Sequence, residues 1–266
     1  MTLRIGIAGV SGRMGQALVE AALAAPELAI GAALDVAASP LVGTDAGAHL
    51  GRVTGAIVGT DVDAALAHCD VLVDFTRPAG TLAHAAACAR HGKRLVAGTT
   101  GLDAAQKAAL ADFASRVAIV FAPNMSVGVT VLLALVELAA ARLGPDFDIE
   151  IVEMHHRHKV DAPSGTALGL GEAAARGAGV ALADHAVYAR KGMTGERRPG
   201  AIGFAALRGG DVVGEHSVIF AGAGERIELT HRATSRATFA AGALRAARFV
   251  AGKPPGLYGM HDVLGL

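Results

Sequence analysis

Short apolar runs alternate with longer Ala-rich stretches through residues 1–121. Apolar runs of about four to eight residues are typical of buried strands, whereas the longer stretches have the length and composition of helices. The pattern predicts strands at 4–8, 28–34, 71–75, 94–97 and 118–121, and helices at 12–25, 80–91 and 103–114. Strands and helices in alternation predict a doubly wound parallel sheet, which binds ligands in the loops that follow its strands.

The pattern changes after residue 126. An apolar stretch at 127–143 predicts a buried helix, because Thr130, Glu137 and Arg142 interrupt it and it is shorter than a membrane span of about 20 residues. Beyond it we predict strands at 149–152, 186–190, 202–207, 212–220 and 225–230, and helices at 167–176 and 236–250. The region after 126 therefore indicates an α+β domain with a mostly antiparallel sheet, and the last helix fits either domain.

The composition narrows the class of protein. Lysine plus arginine and aspartate plus glutamate both number 24, so the net charge is zero and nucleic acid is not an expected partner. The two cysteines, Cys69 and Cys88, are too few for a disulfide scaffold and indicate a reduced, cytoplasmic protein. No charged segment followed by an apolar core opens the chain, so secretion is not predicted.

The loop after the first strand has the spacing of a dinucleotide-binding turn. Residues 9–15 read GVSGRMG, and Asp35 ends the second strand, where a carboxylate accepts hydrogen bonds from a ribose. The alternative is a tight turn beside a solvated aspartate. The candidate cofactor-binding residues here are Gly9, Val10, Ser11, Gly12, Arg13, Met14 and Asp35.

Two later loops at the same edge of the sheet offer backbone and hydroxyl groups to a nicotinamide carboxamide. Residues 98–101 (GTTG) and 122–126 (APNMS) each follow a predicted strand, and residues 74–78 (DFTRP) form a third candidate loop. Each loop is also explained as a capped helix start. The candidate residues are Gly98, Thr99, Thr100, Ala122, Pro123, Asn124 and Met125.

The most reactive segment of the chain is 153–166, which reads EMHHRHKVDAPSGT. Imidazole and ammonium groups bind anions and transfer protons, and the start of a helix adds a favourable dipole for negative charge. Zinc is the alternative for three histidines, but Arg157 and Lys159 would repel a cation and we predict no metal. We interpret Arg157 and His158 as scaffold, paired with Glu153 or Asp161.

These motifs, together with RGGDVVGEH at 208–216 and DVL at 262–264, resemble the 4-hydroxy-tetrahydrodipicolinate reductase family, also called dihydrodipicolinate reductase. The resemblance covers essentially the whole chain. It implies a Rossmann domain at 1–126 that residues 236–266 complete, and a substrate-binding and oligomerisation domain at 127–235. It further implies a cytoplasmic homotetramer, assembled through the sheet of the central domain, that acts in diaminopimelate and lysine biosynthesis.

The resemblance also implies roles for the segment 153–166. His155 and Lys159 match acid/base positions, whereas His156, Gly165 and Thr166 match positions that bind a cyclic imino dicarboxylate. Whether the proton comes from Lys159, His155 or water stays open. Two other functions are considered, a reductase of another imino dicarboxylate and a non-catalytic NAD-binding sensor.

One position departs from the family. Many members have arginine directly after the acidic residue of the second strand, where it pairs with the 2′-phosphate of NADPH, and this chain has Val36. We expect both NADH and NADPH to be used, with an advantage for NADH, although Arg13 is an alternative cation for the phosphate.

Overall fold

The computed structural model describes residues 2–266 and divides into two compact units. The first unit runs to Val127 and includes Arg236–Leu266, and the second is Gly128–Ser235. The strands are β1 (Leu3–Ala8), β2 (Leu28–Leu34), β3 (Val58–Gly59), β4 (Val71–Asp74), β5 (Arg94–Ala97), β6 (Ala118–Phe121), β7 (Asp148–His155), β8 (Ala186–Val187), β9 (Ile202–Arg208), β10 (Gly214–Ala221), β11 (Arg226–Ala233) and β12 (Gly256–Tyr258). The helices are α1 (Arg13–Leu23), α2 (Val62–Leu66), α3 (Pro78–His91), α4 (Ala104–Ala114), α5 (Val127–Leu143), α6 (Gly165–Ala178), α7 (Leu182–His185), α8 (Ala237–Ala251) and α9 (Met260–Leu264), with short 3₁₀ turns at Ala48–Leu50 and Gly144–Asp146.

The first unit is a seven-stranded parallel sheet in the order β12-β6-β5-β4-β1-β2-β3. Its central strands are mostly apolar because helices cover both faces, and every residue of β4, including Asp74, is buried. One face packs on α1 and α8 through Leu18 and Leu244, and the other packs on α3 and α4 through Cys88 and Leu110. The predicted α/β fold with a doubly wound parallel sheet is confirmed.

The chain order reverses beside β1, which lies between β4 and β2. Loops that follow β1, β2 and β4 therefore meet at the carboxyl edge of the sheet, at the switch point where doubly wound folds bind ligands. The C-terminal helix, which fitted either domain by pattern, belongs to this unit, and β12 adds a strand beside β6. The pattern predicted no element between residues 35 and 70, where the structure has β3, α2 and a 3₁₀ turn.

The second unit is a five-stranded sheet in the order β11-β10-β7-β9-β8. Strand β10 pairs antiparallel with β7 and β11, whereas β9 pairs parallel with β7 and β8, so the sheet is mixed and not mostly antiparallel. The parallel pairing arises because α6 and α7 carry the chain across the sheet before it re-enters. Helices α5 and α6 pack on one face of this sheet and form its core.

Helix α5 differs from its prediction as a buried helix. Leu132 and Val136 are buried, but Val131, Leu135 and Leu138 are exposed on the single chain. Apolar residues occur all round this helix, so periodicity did not distinguish the face that packs on the sheet from the face that does not. By length and composition Val127–Asp146 would also span a membrane, a test that core helices pass as well.

Candidate active site

The turn between β1 and α1 has the features of a phosphate-binding loop. Gly9 has φ +74°, and a Cβ at Gly15 would overlap the Gly9 carbonyl oxygen, so the helix packs tightly against the turn. Helix α1 begins after Gly12 without a side-chain cap, in contrast to α4, where Asp103 forms a capping box. An uncapped helix start presents N–H groups and a positive dipole to an anion.

Asp35 lies at the carboxyl end of β2, beside this loop. Its carboxylate accepts hydrogen bonds from the N–H groups of Ser11 at 2.7 Å and Val36 at 2.8 Å. Burial alone would raise the pKa of Asp35, but the bonds from Ser11 and Val36 outweigh it and lower the pKa. The carboxylate is therefore ionised and available as a further acceptor.

A cleft of about 940 Å³ opens beside Asp35, large enough for a nucleotide. Its walls combine the glycine loop, the end of β2 and the loop after β4, namely Gly9, Ser11, Gly12, Leu34, Asp35, Val36, Ala37, Thr60, Phe75, Thr76, Arg77, Ala79, Gly80 and His84. His84 was not predicted as part of this site, whereas Arg77 belongs to the third candidate loop, 74–78. Arg13 is exposed, whereas the side chain of Val10 is fully buried and does not line this cleft.

A second cavity of about 330 Å³ gathers the other predicted cofactor loops. It is lined by Met14, Phe75, Thr76, Gly98, Thr99, Thr100, Pro123, Asn124, Met125 and Phe239. The Phe75 ring packs against Gly98 so closely that any side chain there would overlap it. Phe239 was missed because it lies at the start of α8, far along the chain. Together, the two cavities and the uncapped α1 fit a dinucleotide.

In the second unit, β7 extends to His155, three residues beyond the predicted strand. Alternation along the strand puts Glu153 and His155 on its buried face, where the side chains are 1% and 11% exposed. His155 Nδ1 lies 2.6 Å from Glu153 Oε2. The histidine predicted as an acid/base group is therefore held by a rigid strand and not by a loop.

Arg208 is the partner of Glu153. Its guanidinium donates to both carboxylate oxygens, at 2.7 and 2.8 Å, and to the Asp161 carbonyl oxygen at 2.7 Å. The interpretation that Arg157 and His158 pair with Glu153 or Asp161 is wrong, since Asp161 pairs with Lys159 at 2.8 Å and both predicted partners are exposed. The alternation of buried and exposed residues along β7 could have predicted that Glu153 is buried and pairs with a cation. It could not have identified that cation as Arg208.

His155 is neutral near pH 7. Burial lowers the pKa of its imidazole, and the hydrogen bond and charge of Glu153 oppose this lowering without cancelling it. Burial would raise the pKa of Glu153, but bonds from Arg208, His155 and the Ser164 N–H lower it. Because an ionised carboxylate only accepts hydrogen bonds, His155 carries its hydrogen on Nδ1 and presents a bare Nε2.

Ser164 caps α6 by accepting a hydrogen bond from the Ala167 N–H at 3.1 Å. It is more than a cap, because its hydroxyl lies 3.0 Å from Nε2 of the buried His216. Gly165 and Thr166 follow as the first two residues of α6, at the positive end of its dipole. Within residues 2–266, the buried His156 Nδ1 has no hydrogen-bond partner.

The described residues contain no group of three or more His, Cys, Asp or Glu side chains arranged to hold a metal ion. A doubly wound sheet with a dinucleotide-type loop, joined to a unit with buried acid/base side chains, defines a nicotinamide-dependent oxidoreductase.

Comparison with known proteins identifies the family. Residues 3–125 match the N-terminal model of dihydrodipicolinate reductase, and residues 128–264 match its C-terminal model. The chain therefore belongs to the dihydrodipicolinate reductase family, as its motifs indicated.

Individual relatives agree with this assignment along the full chain. The chain is 60% identical to a 4-hydroxy-tetrahydrodipicolinate reductase of Thiobacillus denitrificans over 266 residues, covering 100% of both, and 55% identical to one of Herminiimonas arsenicoxydans over 99% of this chain and 98% of the relative. Among solved structures, a dipicolinate-bound dihydrodipicolinate reductase from Paenisporosarcina sp. TG-14 has a TM-score of 0.78 at 25% identity, covering 98% of this chain and 99% of that one.

Proposed function

We propose that the protein reduces 4-hydroxy-tetrahydrodipicolinate to tetrahydrodipicolinate with NADH or NADPH, in the cytoplasmic route to diaminopimelate and lysine. The observation that carries the proposal is the 60% identity, over 100% of this chain and of the relative, to a reductase of that name. The conversion adds a hydride and a proton and releases one water. The nicotinamide cofactor supplies the hydride when bound, and the remaining requirements fall on side chains of the protein.

Two carboxylates of the substrate need anion-binding groups. The Paenisporosarcina relative is described as binding dipicolinate, a planar dicarboxylate of this kind. We assign one carboxylate to the positive end of α6, at Gly165 and the hydroxyl of Thr166, and to the imidazole of His156. The buried, unpartnered Nδ1 of His156 supports this assignment, because a ligand would satisfy it.

The proton is assigned to Lys159, with His155 as relay or alternative donor. His155 near pH 7 is neutral and holds its hydrogen against Glu153, so it is suited to pass a proton on rather than to begin as the acid. Lys159 is the nearby cation, and its ammonium pairs with the exposed Asp161 carboxylate, a partner that water can replace when substrate binds.

The cofactor preference is inferred from the end of β2. Asp35 is ionised in the nucleotide cleft. Its carboxylate can accept hydrogen bonds from two ribose hydroxyls, whereas it repels a 2′-phosphate. Val36 follows it with 69% of its surface exposed and supplies no cation. We therefore propose that both cofactors are used with an advantage for NADH, and that Arg13 or Arg77 accommodates the phosphate of NADPH.

A homotetramer formed through the sheet of the second unit completes the proposal. Helices α5 and α6 cover one face of that sheet, and its other face carries apolar side chains, among them Leu207, which is 50% exposed. An apolar sheet face of this kind favours association with copies of the same chain.

A coupled assay tests the function. Dihydrodipicolinate synthase would supply the substrate, and the fall in NAD(P)H absorbance would report turnover; the absence of oxidation with either cofactor would refute the proposal. Lys159→Ala and His155→Ala separate the roles, since each is expected to lower kcat by about 10²–10⁴-fold. Near-wild-type turnover in both variants would overturn the acid/base assignment.

A further inference from the structure

Glu153 is a buried carboxylate of the second unit that accepts four hydrogen bonds. Its Oε2 accepts from His155 Nδ1 at 2.6 Å and from Arg208 at 2.7 Å, and its Oε1 accepts from the Ser164 N–H at 3.0 Å and from Arg208 at 2.8 Å. Four donors fill the acceptor sites that a carboxylate offers. The side chain is 1% exposed, so its position is fixed by these bonds and not by water.

Each donor leads to a different part of the proposed site. His155 is the acid/base imidazole, and the Ser164 N–H stands at the start of α6, directly before Gly165 and Thr166. Arg208 continues to the carbonyl oxygen of Asp161, the residue whose carboxylate pairs with Lys159. A single buried carboxylate thus links the proton-transfer groups to the carboxylate-binding end of the helix.

The space beyond His155 is also defined. A Cβ at Gly214 would lie 3.0 Å from His155 Nε2, so the glycine leaves that nitrogen uncrowded. With Nδ1 held by Glu153, Nε2 is the nitrogen left to exchange a proton. The arrangement fixes both the tautomer and the orientation of the ring.

We infer that Glu153 is a positioning residue for the reduction: it fixes the tautomer of His155 and, through Ser164 and Arg208, the spacing between the acid/base groups and the start of α6. Glu153 does not touch the substrate in this inference and acts through its three partners. The inference rests on the proposed function, because His155 and α6 have these roles only if the protein is a reductase of an imino dicarboxylate.

An isosteric change separates this role from simple packing. In Glu153→Gln one oxygen becomes an NH₂ group, which on either side opposes a donor of Arg208 and deprives His155 or Ser164 of its acceptor. The negative charge also disappears from beside His155, which then faces only Lys159, Arg208 and His216. The pKa of His155 falls further, because Glu153 is the group that opposes its lowering.

The experiment compares Glu153→Gln with a matched control. Glu137 on α5 accepts two hydrogen bonds from Arg176, at 2.9 and 3.1 Å, so Glu137→Gln breaks an Arg–Glu pair of the same unit outside the network of His155. The synthase-coupled assay gives kcat and KM from pH 5.5 to 8.5, and NADH binding is measured by fluorescence as a check that the first unit is intact.

We expect Glu153→Gln to lower kcat about 10- to 100-fold, within the range contributed by a positioned acid or base, with NADH affinity unchanged. The limb of the pH profile that His155 governs should move to lower pH, whether His155 acts as acid or base, because its pKa falls. Glu153→Asp keeps the charge but shortens the reach, so it should lower kcat without that downward shift. Glu137→Gln should resemble the wild type.

Two results would overturn the inference: a Glu153→Gln enzyme within twofold of wild-type kcat, or a slower one whose pH profile is unchanged. The second result would mean that Glu153 only supports packing. If Glu153→Gln does not fold, Glu153→Asp decides, and wild-type kcat in that variant would refute a positioning role. A wild-type protein that oxidises neither NADH nor NADPH would instead refute the proposed function.

Discussion

Acidification should destabilise the protein through one buried histidine. His216 is 4% exposed on β10, and burial lowers the pKa of His216 to about 4. An unfolded histidine has a pKa of about 6.5. Between these pH values His216 is protonated in the unfolded chain but not in the folded protein. The free energy of unfolding therefore falls as the pH drops through about 6.5 towards 4.

The magnitude follows from the two pKa values. At 1.36 kcal/mol per pKa unit the full effect is about 3 kcal/mol, of which about 2 kcal/mol is lost between pH 8 and pH 5. In His216→Gln the amide can still reach the Ser164 hydroxyl, which bonds Nε2 in the wild type at 3.0 Å, but it cannot be protonated. The variant should therefore lose about 2 kcal/mol less than the wild type over this interval.

Urea unfolding at pH 8 and pH 5, at one fixed protomer concentration, measures this difference. His185→Gln is the control, because His185 belongs to the same unit but its Nδ1 bonds the Gly200 carbonyl oxygen at a solvent-exposed position. The control should lose as much stability as the wild type. If the wild type and His216→Gln lost equal free energy of unfolding between pH 8 and pH 5, the reasoning would be refuted. The pKa of His216 would then not be lowered by folding.

Three further changes test the two cavities and α6. Val36→Arg should raise the preference for NADPH over NADH by about 10- to 100-fold in kcat/KM, the value of one charged hydrogen bond, and an unchanged ratio would contradict the assignment of that cleft. Thr166→Val should raise the substrate KM about tenfold and leave NADH affinity unchanged. An unaltered KM would show that the Thr166 hydroxyl does not bind the substrate. Gly15→Ala should weaken NADH binding at least tenfold and cost about 1–3 kcal/mol of stability, because its Cβ overlaps the Gly9 carbonyl, whereas Gly252→Ala, which meets open space, should do neither.

The cofactor half of the fold was predictable because its signals are local. A strand, a glycine turn and a helix lie within residues 3–23, and parallel topology then brings the later loops to the same edge. The structure gathers residues 98–100 and 123–125 around one cavity, as that reasoning requires. Phe239 joins them from α8, and no local pattern relates a residue at the start of that helix to loops more than a hundred positions earlier.

The second unit was predicted less well because its pairings are long-range. Arg208 reaches Glu153 across 55 positions and Ser164 meets His216 across 52, distances at which sequence spacing carries no geometric information. Once β7 is known to lie between β9 and β10, both Arg208 and His216 are expected near the end of β7. Arg208 is directly opposite His155 in the β7–β9 register, and His216 is opposite Glu153 in the β7–β10 register. Sheet order, and not the motif itself, determines which residues complete the site.

That dependence on sheet order explains why the acid/base segment works as one piece. His155 and Glu153 end a central strand, Arg208 ends the strand on one side, and His216 lies near the start of the strand on the other. Groups held by three adjacent strands cannot drift apart without breaking the sheet, so the imidazole keeps its tautomer and orientation before any ligand arrives. Lys159 lies outside the strands, on the turn held by the bond from Arg208 to Asp161, and we propose that it is the group that approaches the substrate. In the proposed function, an imidazole held by three strands and an ammonium group on the adjoining turn would then divide the roles of relay and proton donor.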